Sequence, residues 1–290
     1  MGLFEAETQD IKCAYCMNSK DYALTFACHN QVDYTRQCVE SLVKHGTPLS
    51  SVVAVDNGST DDTVSYLQSL SLGACIVNKK NMSCGVAWNQ GAWALQAEWT
   101  IIMNNDVIVS AGWVENLIAA AQSLDVKVIS PALIEGALDY DFESFSTQTA
   151  KSMAHVHRLG ARHAVCLAVH ESVWFEVEYF RSAPRLLGYE DTLFFHELDK
   201  AGVRCAITGA SWLHHFGSIT QTAMKRERGL SMSANLPYRY NYRLLHQPWW
   251  QRKWNKFQRK QREQQWRNDE LQRYGMTLHG VRSAGDFEWL

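Results

Sequence analysis

The chain has 290 residues, 46% of them hydrophobic and 20% charged, with 28 Lys+Arg against 30 Asp+Glu. This composition excludes a disordered tail protein, a collagen-like chain and a disulfide-dense miniprotein, and the length accommodates one large α/β domain or two small ones. No run of about 18 apolar residues is present to span a membrane. The opening MGLFEAETQDIK has no basic residue ahead of an apolar stretch, so no secretory signal is expected, and Ala6 breaks a myristoylation pattern.

The net charge of −2 conceals a segregation. Residues 225–273 hold 13 Lys+Arg and 4 Asp+Glu, a balance of +9, which leaves 15 against 26, or −11, elsewhere. An acidic body, 1–224, and a basic extension, 225–290, are therefore expected to be separable in function. The 8 cysteines are scattered among apolar neighbours, as in a protein with reduced thiols in the cytosol. Cys13 and Cys16 have metal-ligand spacing, but no second pair follows, so a four-ligand zinc site is not expected.

In chain order, Tyr22–Cys28 reads as a strand and 34–44 as an amphipathic helix with Val39, Leu42 and Val43 on its apolar face. The run 51–55 is continuously apolar, as a parallel strand buried on both faces requires. A polar turn follows, with Ser59 or Thr60 expected to cap a helix starting near Asp61. Further strands are expected at 74–77, 99–103 and 126–130, and helices at 85–97 and 112–123. This alternation predicts right-handed crossovers and one mostly parallel sheet. Residues 135–160, with Glu135, Asp139, Asp141 and Glu143, read as a long surface segment. A strand at 164–169, a helix from Glu171, a helix from Glu190 through Ala201 ended by Gly202, and a strand at 203–207 complete the body. His214-His215 come after that strand.

In such sheets ligands bind beyond the carboxyl ends of the strands. The polar clusters fall there: Cys28-His29-Asn30, Asp56-Asn57-Gly58, 78–81 and Asn104-Asn105-Asp106. Neither a dinucleotide GxGxxG nor a GxxxxGK[ST] phosphate loop is present. Asp106 is either a helix-start acid or an oxygen ligand for Mg²⁺ or Mn²⁺. Glu190-Asp191 are either partners of a helix dipole or a general base with a supporting carboxylate. His214-His215 are either surface histidines or a metal ligand with its neighbour.

The segments VDNGSTDDT (55–63), MNNDV (103–107), GYEDTLF (188–194) and HHFGSIT (214–220) together resemble family 2 of the nucleotide-sugar glycosyltransferases, in particular its bacterial rhamnosyltransferase-like branch. The resemblance covers about 22–221. It implies the GT-A fold, a mostly parallel sheet flanked by helices, with the nucleotide-sugar part at about 20–130, an acceptor part at 131–224, and a helical, basic, aromatic C-terminal extension. It further implies that Asp56, with Asn57 beside it, contacts the base or ribose of a UDP- or dTDP-sugar in a pocket lined by Ala27, His29 and Asn30. Asn81, Asn89 and Gly91 would shape the donor pocket. Asn104-Asn105-Asp106 matches the family's DxD element, with Asp106 on the divalent cation. His215, or failing it His214, would complete the metal site, and Asp191 supported by Glu190 would be the base.

Two departures are visible: Asn104 removes one charge from DxD, and Ser83 stands where many relatives have glycine. The implied function is an inverting, Mg²⁺- or Mn²⁺-dependent transfer to a glycan or lipid-linked glycan in bacterial surface polysaccharide synthesis. The alternatives are a nucleotidyltransferase, whose glycine-rich activation loop is missing, and a catalytically silent carbohydrate-binding or scaffold protein. In the extension, Trp250, Trp254 and Phe257 share one helix face beside Arg and Lys. This pattern suits either packing on the catalytic body or a cytoplasmic protein peripheral on the inner membrane through 248–266. The acidic body argues against nucleic acid.

Overall fold

The computed structural model describes residues 21–181, 189–217 and 247–290, with 219, 222, 223, 226 and 245. Cys13, Cys16, Gly188, Ser218, Thr220 and the expected boundary near 225 lie outside the described residues. The fold is mixed α/β around one sheet. Its parallel part runs β3 (Ala74–Val77), β2 (Val52–Asp56), β1 (Tyr22–Cys28), β4 (Trp99–Asn104). The antiparallel β8 (Cys166–His170) joins β4 to β6 (Val128–Gly136). Beyond β6 lie β9 (Cys205–His215), which also pairs with the short β5 (Val107–Val109) and β7 (His157–Leu159), and β10 (His279–Ser283) with β11 (Asp286–Trp289).

The parallel strands read as apolar runs because helices cover both faces. On one side lie α1 (Val32–Lys44), α2 (Thr63–Gln68) and α4 (Trp113–Leu124), against a core containing Leu24, Phe26, Leu42, Ile101, Trp113 and Leu117. On the other lies α3 (Cys84–Ala94), against Ala23, Val53 and Val55. Helix α3 sits unusually close to β1: a Cβ at Gly91 would lie 1.7 Å from Thr25 Oγ1. Gly91 therefore permits the close packing of α3 on β1.

Several expectations change. In α1 the buried stripe is Thr35, Cys38, Val39 and Leu42, a 3.6-residue period that leaves Val43 53% exposed. Ser59 and Thr60 do not cap α2. The N-cap is Asp62, which makes no side-chain cap bond, and the Thr63 N–H donates instead to Asp61 Oδ1 at 3.1 Å. Residues 135–160 are not a surface segment. They contain the end of β6, helix α5 (Phe142–Met153) capped by Asp141, and β7, with Phe142 and Met153 buried. The segment looked polar because its apolar positions are spaced for one buried helix face. The helix from 171 shrinks to the single turn α6 (Val173–Glu176), whereas α7 (Glu190–Ala201) ends at Gly202 in the left-handed region, φ 70°, as expected.

Strand β9 extends to His215, so His214 and His215 lie within it. Its pairing with β6 shifts register between Pro131 and Ala132: Pro131 faces Thr208, but Ala132 faces Trp212. Residues 209–211 are thereby set aside from the ladder, an odd number, so the side-chain parity of β9 inverts across the shift. Gly209 makes room for it. A Cβ there would lie 2.4 Å from the Met153 carbonyl oxygen and 2.8 Å from Leu278 Cδ2.

The extension contains the helix α8 (Trp249–Tyr274), as expected, but is not wholly helical. Its last residues form the β10–β11 hairpin, and β10 pairs in parallel with β6. The buried carboxylate of Glu270 holds Arg158 through two bonds of 2.7 and 2.8 Å and accepts the Leu278 N–H at 2.8 Å. The extension and the body therefore share one sheet, and the physical separation inferred from charge does not extend to 266–290. Gly209→Ala is expected to cost about 1–3 kcal/mol, because backbone rather than a pliable side chain opposes the new methyl; urea denaturation against wild type measures it, and an unchanged midpoint would refute the packing argument.

Candidate functional site

The carboxyl edge of the parallel strands gathers most of the residues singled out from sequence. At the end of β2, Asp56 is fully buried. Its Oδ2 accepts the N–H groups of Gly58 and Ser59 at 3.1 and 3.0 Å, while its Oδ1 is buried with no hydrogen-bond partner among the described residues. A buried carboxylate oxygen without a donor costs free energy unless something supplies one. Beside it, β1 ends at Ala27-Cys28, and the chain turns through Asn30 and Gln31 at positive φ, 56° and 61°. This turn is stitched to the next: Asn30 N–H donates to Ser59 Oγ, and Thr60 N–H to Asn30 Oδ1, both at 2.7 Å. His29 is half-buried in the same turn.

Three asparagines expected near the donor are engaged internally. Asn57 donates to Asn81 Oδ1 and the Ser83 carbonyl at 3.2 and 3.0 Å, and accepts from Met82 N–H and Asn78 at 2.9 and 3.2 Å. It is a strut that holds the 78–83 loop at the edge of the site, with Asn81 as one of its partners. Asn89 is spent on the backbone of Phe180, 2.7 and 3.0 Å, and buried Asn105 on Thr35 Oγ1, 2.8 Å. The loop that Asn57 braces ends at Ser83, whose φ 83° and ψ 159° are a conformation suited to glycine.

At the end of β4 the buried Asp106 and Asn104 both reach one imidazole: His215 Nε2 is 3.2 Å from Asp106 Oδ1 and 3.2 Å from Asn104 Nδ2. Its Nδ1 is 3.1 Å from Glu135 Oε1. Burial alone would lower the His215 pKa, but the two carboxylates overcome it and push it up to about 9. Glu135 in turn is held well below the usual carboxylate range by His215 and by His279, whose Nε2 is 3.1 Å from Glu135 Oε2. His214 points to the opposite face, bonded to Tyr140 Oη at 3.1 Å, among Phe142 and Phe216. Burial and the neighbouring His215 push its pKa down to about 4. Strand alternation excludes His214 from the pair at Asp106.

The N-terminus of α7 closes the site. Glu190 is buried against α3, where a Cβ at Gly85 would meet its Cγ at 2.9 Å, and its Oε1 has no partner among the described residues. Asp191 accepts the Thr192 N–H at 2.6 Å; burial, aided by the Glu190 charge, raises its pKa. The Cys84 thiol is pushed well up by burial and by Glu190, Asp191 and Asp106, in that order, so all three acids act on the start of α3. By contrast, the cleft of about 460 Å³ lined by Glu176, Tyr179, Arg181, Glu197 and Lys200 contains none of this chemistry.

Among the described residues no cluster of three or more His, Cys, Asp and Glu is arranged as a complete metal cage. The donor set nevertheless suits a cation shared with a ligand. Asp106 Oδ1 and His215 Nε2 converge, the second imidazole nitrogen is held by a carboxylate, and Mg²⁺ or Mn²⁺ is commonly held by one or two protein groups plus phosphate oxygens. Glu135 and His279 were not among the expected site residues. Glu135 lay in a stretch read as surface, and His279 lies far along the chain; only the sheet brings them together.

The sequence model of glycosyl transferase family 2 matches residues 26–174, just over half of the chain. The chain belongs to glycosyl transferase family 2. No curated protein matches it, but solved glycosyltransferases share its fold. A crystal structure of GalNAc-T7 with UDP, GalNAc and Mn²⁺ aligns at TM-score 0.54 and 15% identity, covering 68% of this chain and 44% of that one. Residues 1–349 of S. aureus TarS align at 0.52 and 14%, covering 78% and 69%, and the same fragment with UDP-GlcNAc at 0.51 and 15%, covering 78% and 70%. The chain thus spans less than half of the GalNAc-T7 chain it matches. The architecture is the GT-A fold expected from the motifs. In this family 2 chain the serine at 83 bears a backbone strain that glycine would relieve, so Ser83→Gly is expected to stabilise by about 1 kcal/mol; a thermal midpoint at or below wild type would contradict the strain.

Proposed function

We propose that the protein transfers a sugar from a UDP- or dTDP-sugar to a hydroxyl of a glycan or lipid-linked glycan, with inversion, in bacterial surface polysaccharide synthesis. The observation that carries this reading is the row of buried carboxylates along one sheet edge, with Asp56 Oδ1 lacking a donor. A pyrimidine imide N–H or a ribose hydroxyl is the donor that oxygen lacks. The 78–83 loop would line the sugar side, and Asp106 with His215 would hold a divalent cation. When bound, that cation supplies positive charge for the diphosphate leaving group. Rhamnosyltransferase-like donor preference rests on the motif order alone.

The chemistry then falls to Asp191. Its carboxylate takes the proton of the acceptor hydroxyl as that oxygen attacks the anomeric carbon from the face opposite the nucleotide. The bond from that carbon to the diphosphate breaks with its electron pair on the phosphate oxygen, and a single displacement inverts the centre. Buried Glu190, bonded to the Tyr189 N–H at 2.8 Å, lies beside the base and raises its proton affinity. A base must be deprotonated to work, so activity is lost as pH falls through the Asp191 pKa, which burial raises above the ordinary aspartate value. Asp191→Asn should lower kcat by at least about 10²-fold, and Glu190→Gln should move the acid limb of the profile to lower pH. Near wild-type transfer by a folded Asp191→Asn protein would refute the assignment. Asp106→Ala should abolish stimulation by Mn²⁺, and full activity in EDTA would remove the cation from the reading.

Helix α8 supports a location at a membrane surface. No helix among the described residues is long and apolar enough to cross a membrane. Residues 253–265 are exposed throughout, including Trp254 and Phe257, and Trp249 and Trp250 are also exposed. From 249 to 262 the helix carries Arg252, Lys253, Lys256, Arg259, Lys260 and Arg262 with no acid. Exposed aromatic side chains beside a cluster of basic ones suit an anionic leaflet, and we read the protein as cytoplasmic and peripheral on the inner membrane. Because α8 is tied to the sheet through Glu270, the test is substitution and not truncation. Replacing Trp250, Trp254 and Phe257 by serine should abolish co-flotation with vesicles containing phosphatidylglycerol; equal flotation would refute the contact.

A further inference from the structure

Strand β6 has β9 on one side and β10 on the other near its carboxyl end. Glu135 pairs with His215 across one ladder and with Val281 across the other. His279, two residues before Val281, therefore projects on the same face as Glu135. The result is a continuous chain of side chains: Asp106 Oδ1 to His215 Nε2 at 3.2 Å, His215 Nδ1 to Glu135 Oε1 at 3.1 Å, and Glu135 Oε2 to His279 Nε2 at 3.1 Å. His279 is fixed in turn, because its carbonyl accepts from Thr277 Oγ1 and the Leu290 N–H at 2.7 and 2.8 Å.

We infer that Glu135 and His279 are positioning residues that act through His215, holding its ring so that Nε2 faces Asp106. This rests on the proposed assignment of Asp106 and His215 to a divalent cation. An imidazole presents a lone pair on only one nitrogen when neutral, and which one is set by the hydrogen bond made by the other. With Glu135 accepting from Nδ1–H, the lone pair lies on Nε2, the nitrogen at Asp106. Without that acceptor the ring can flip or change tautomer, and the nitrogen at Asp106 is then no longer fixed as an acceptor of a cation. The role of His279 is on the carboxylate. It occupies the second oxygen of Glu135, which is one-third exposed, and so keeps the first aimed at His215 rather than at water. The hairpin after α8, which lies beyond the residues matched by the family model, thus supplies the outermost member of the cation site.

The test is Mn²⁺ affinity at saturating UDP, followed by electron paramagnetic resonance of free Mn²⁺, with UDP affinity in EDTA as a parallel readout. Glu135→Ala should weaken Mn²⁺ binding about 10- to 100-fold and leave UDP affinity in EDTA unchanged, a split that a general structural defect would not give. His279→Gln should shift Mn²⁺ affinity in the same direction by less. Adding His279→Gln to Glu135→Ala should cost nothing further, because the two act in series. If Glu135→Ala does not fold, Glu135→Gln, which keeps the shape and one acceptor oxygen, should show a smaller loss of the same kind. Wild-type Mn²⁺ affinity in folded Glu135→Ala or Glu135→Gln overturns the inference, as does a loss of UDP affinity in EDTA equal to the loss of Mn²⁺. Failure of the underlying assignment is read separately: Asp106→Ala would then bind Mn²⁺ with UDP as wild type does.

Discussion

The register shift between β6 and β9 is the constraint on which the Asp106–His215 end of the site depends. Side chains on a strand alternate, so the three residues set aside at 209–211 decide which of two adjacent histidines faces Asp106. Before the shift, Ala206 lies on the face shared with Ile129 and Leu133. After it, Leu213 and His215 occupy that face, while Trp212 and His214 pack with Ala132 and Ile134 on the other. An uninterrupted ladder would pair Glu135 with Trp212 and carry His215 three residues further along, on the opposite face. A local backbone device, admitted by the absence of a side chain at Gly209, thus sets the chemical identity of the site.

The site also concentrates charge that an ordinary core would not hold. Asp56, Asp106 and Glu190 are each at most 4% exposed. Backbone N–H groups compensate two of them: Asp56 takes two from the turn after β2, and Glu190 takes that of Tyr189. Asp106 instead has an imidazole. The oxygens left over, Asp56 Oδ1 and Glu190 Oε1, keep a desolvation cost in the free protein. A ligand able to donate to them gains more than it would from a solvated carboxylate, so part of the binding free energy is stored in the fold.

Much of this was legible in the chain. The four parallel strands announced themselves as apolar runs, and the polar residues after them marked the edge where ligands bind. Asp56, Asp106 and His215 could be picked out because motif order fixes them without knowledge of packing. What the sequence did not disclose arises from pairing over long separations. Glu135 has no local signal to distinguish it from Asp139 or Glu143, and its relation to His279 exists only once β6 and β10 are neighbours. Asn57, Asn89 and Asn105 show a different limit, since their hydrogen bonds within the fold have no local signal either. A polar side chain near a site is equally able to brace a loop, and the choice depends on which backbone groups lie within hydrogen-bond reach.

Charge composition divided the chain into a body and an appendage, yet the sheet does not respect that division. The strand that brings His279 to Glu135 lies more than sixty residues further along the chain than His215, on the other side of Glu135. With β9 paired to β6 and β10 not yet docked, His215 would already lie between Asp106 and Glu135 while Glu135 Oε2 still lacked His279. Docking of the hairpin therefore completes the line of contacts from Asp106 to His279, so the order in which strands pair is also the order in which these side chains become fixed.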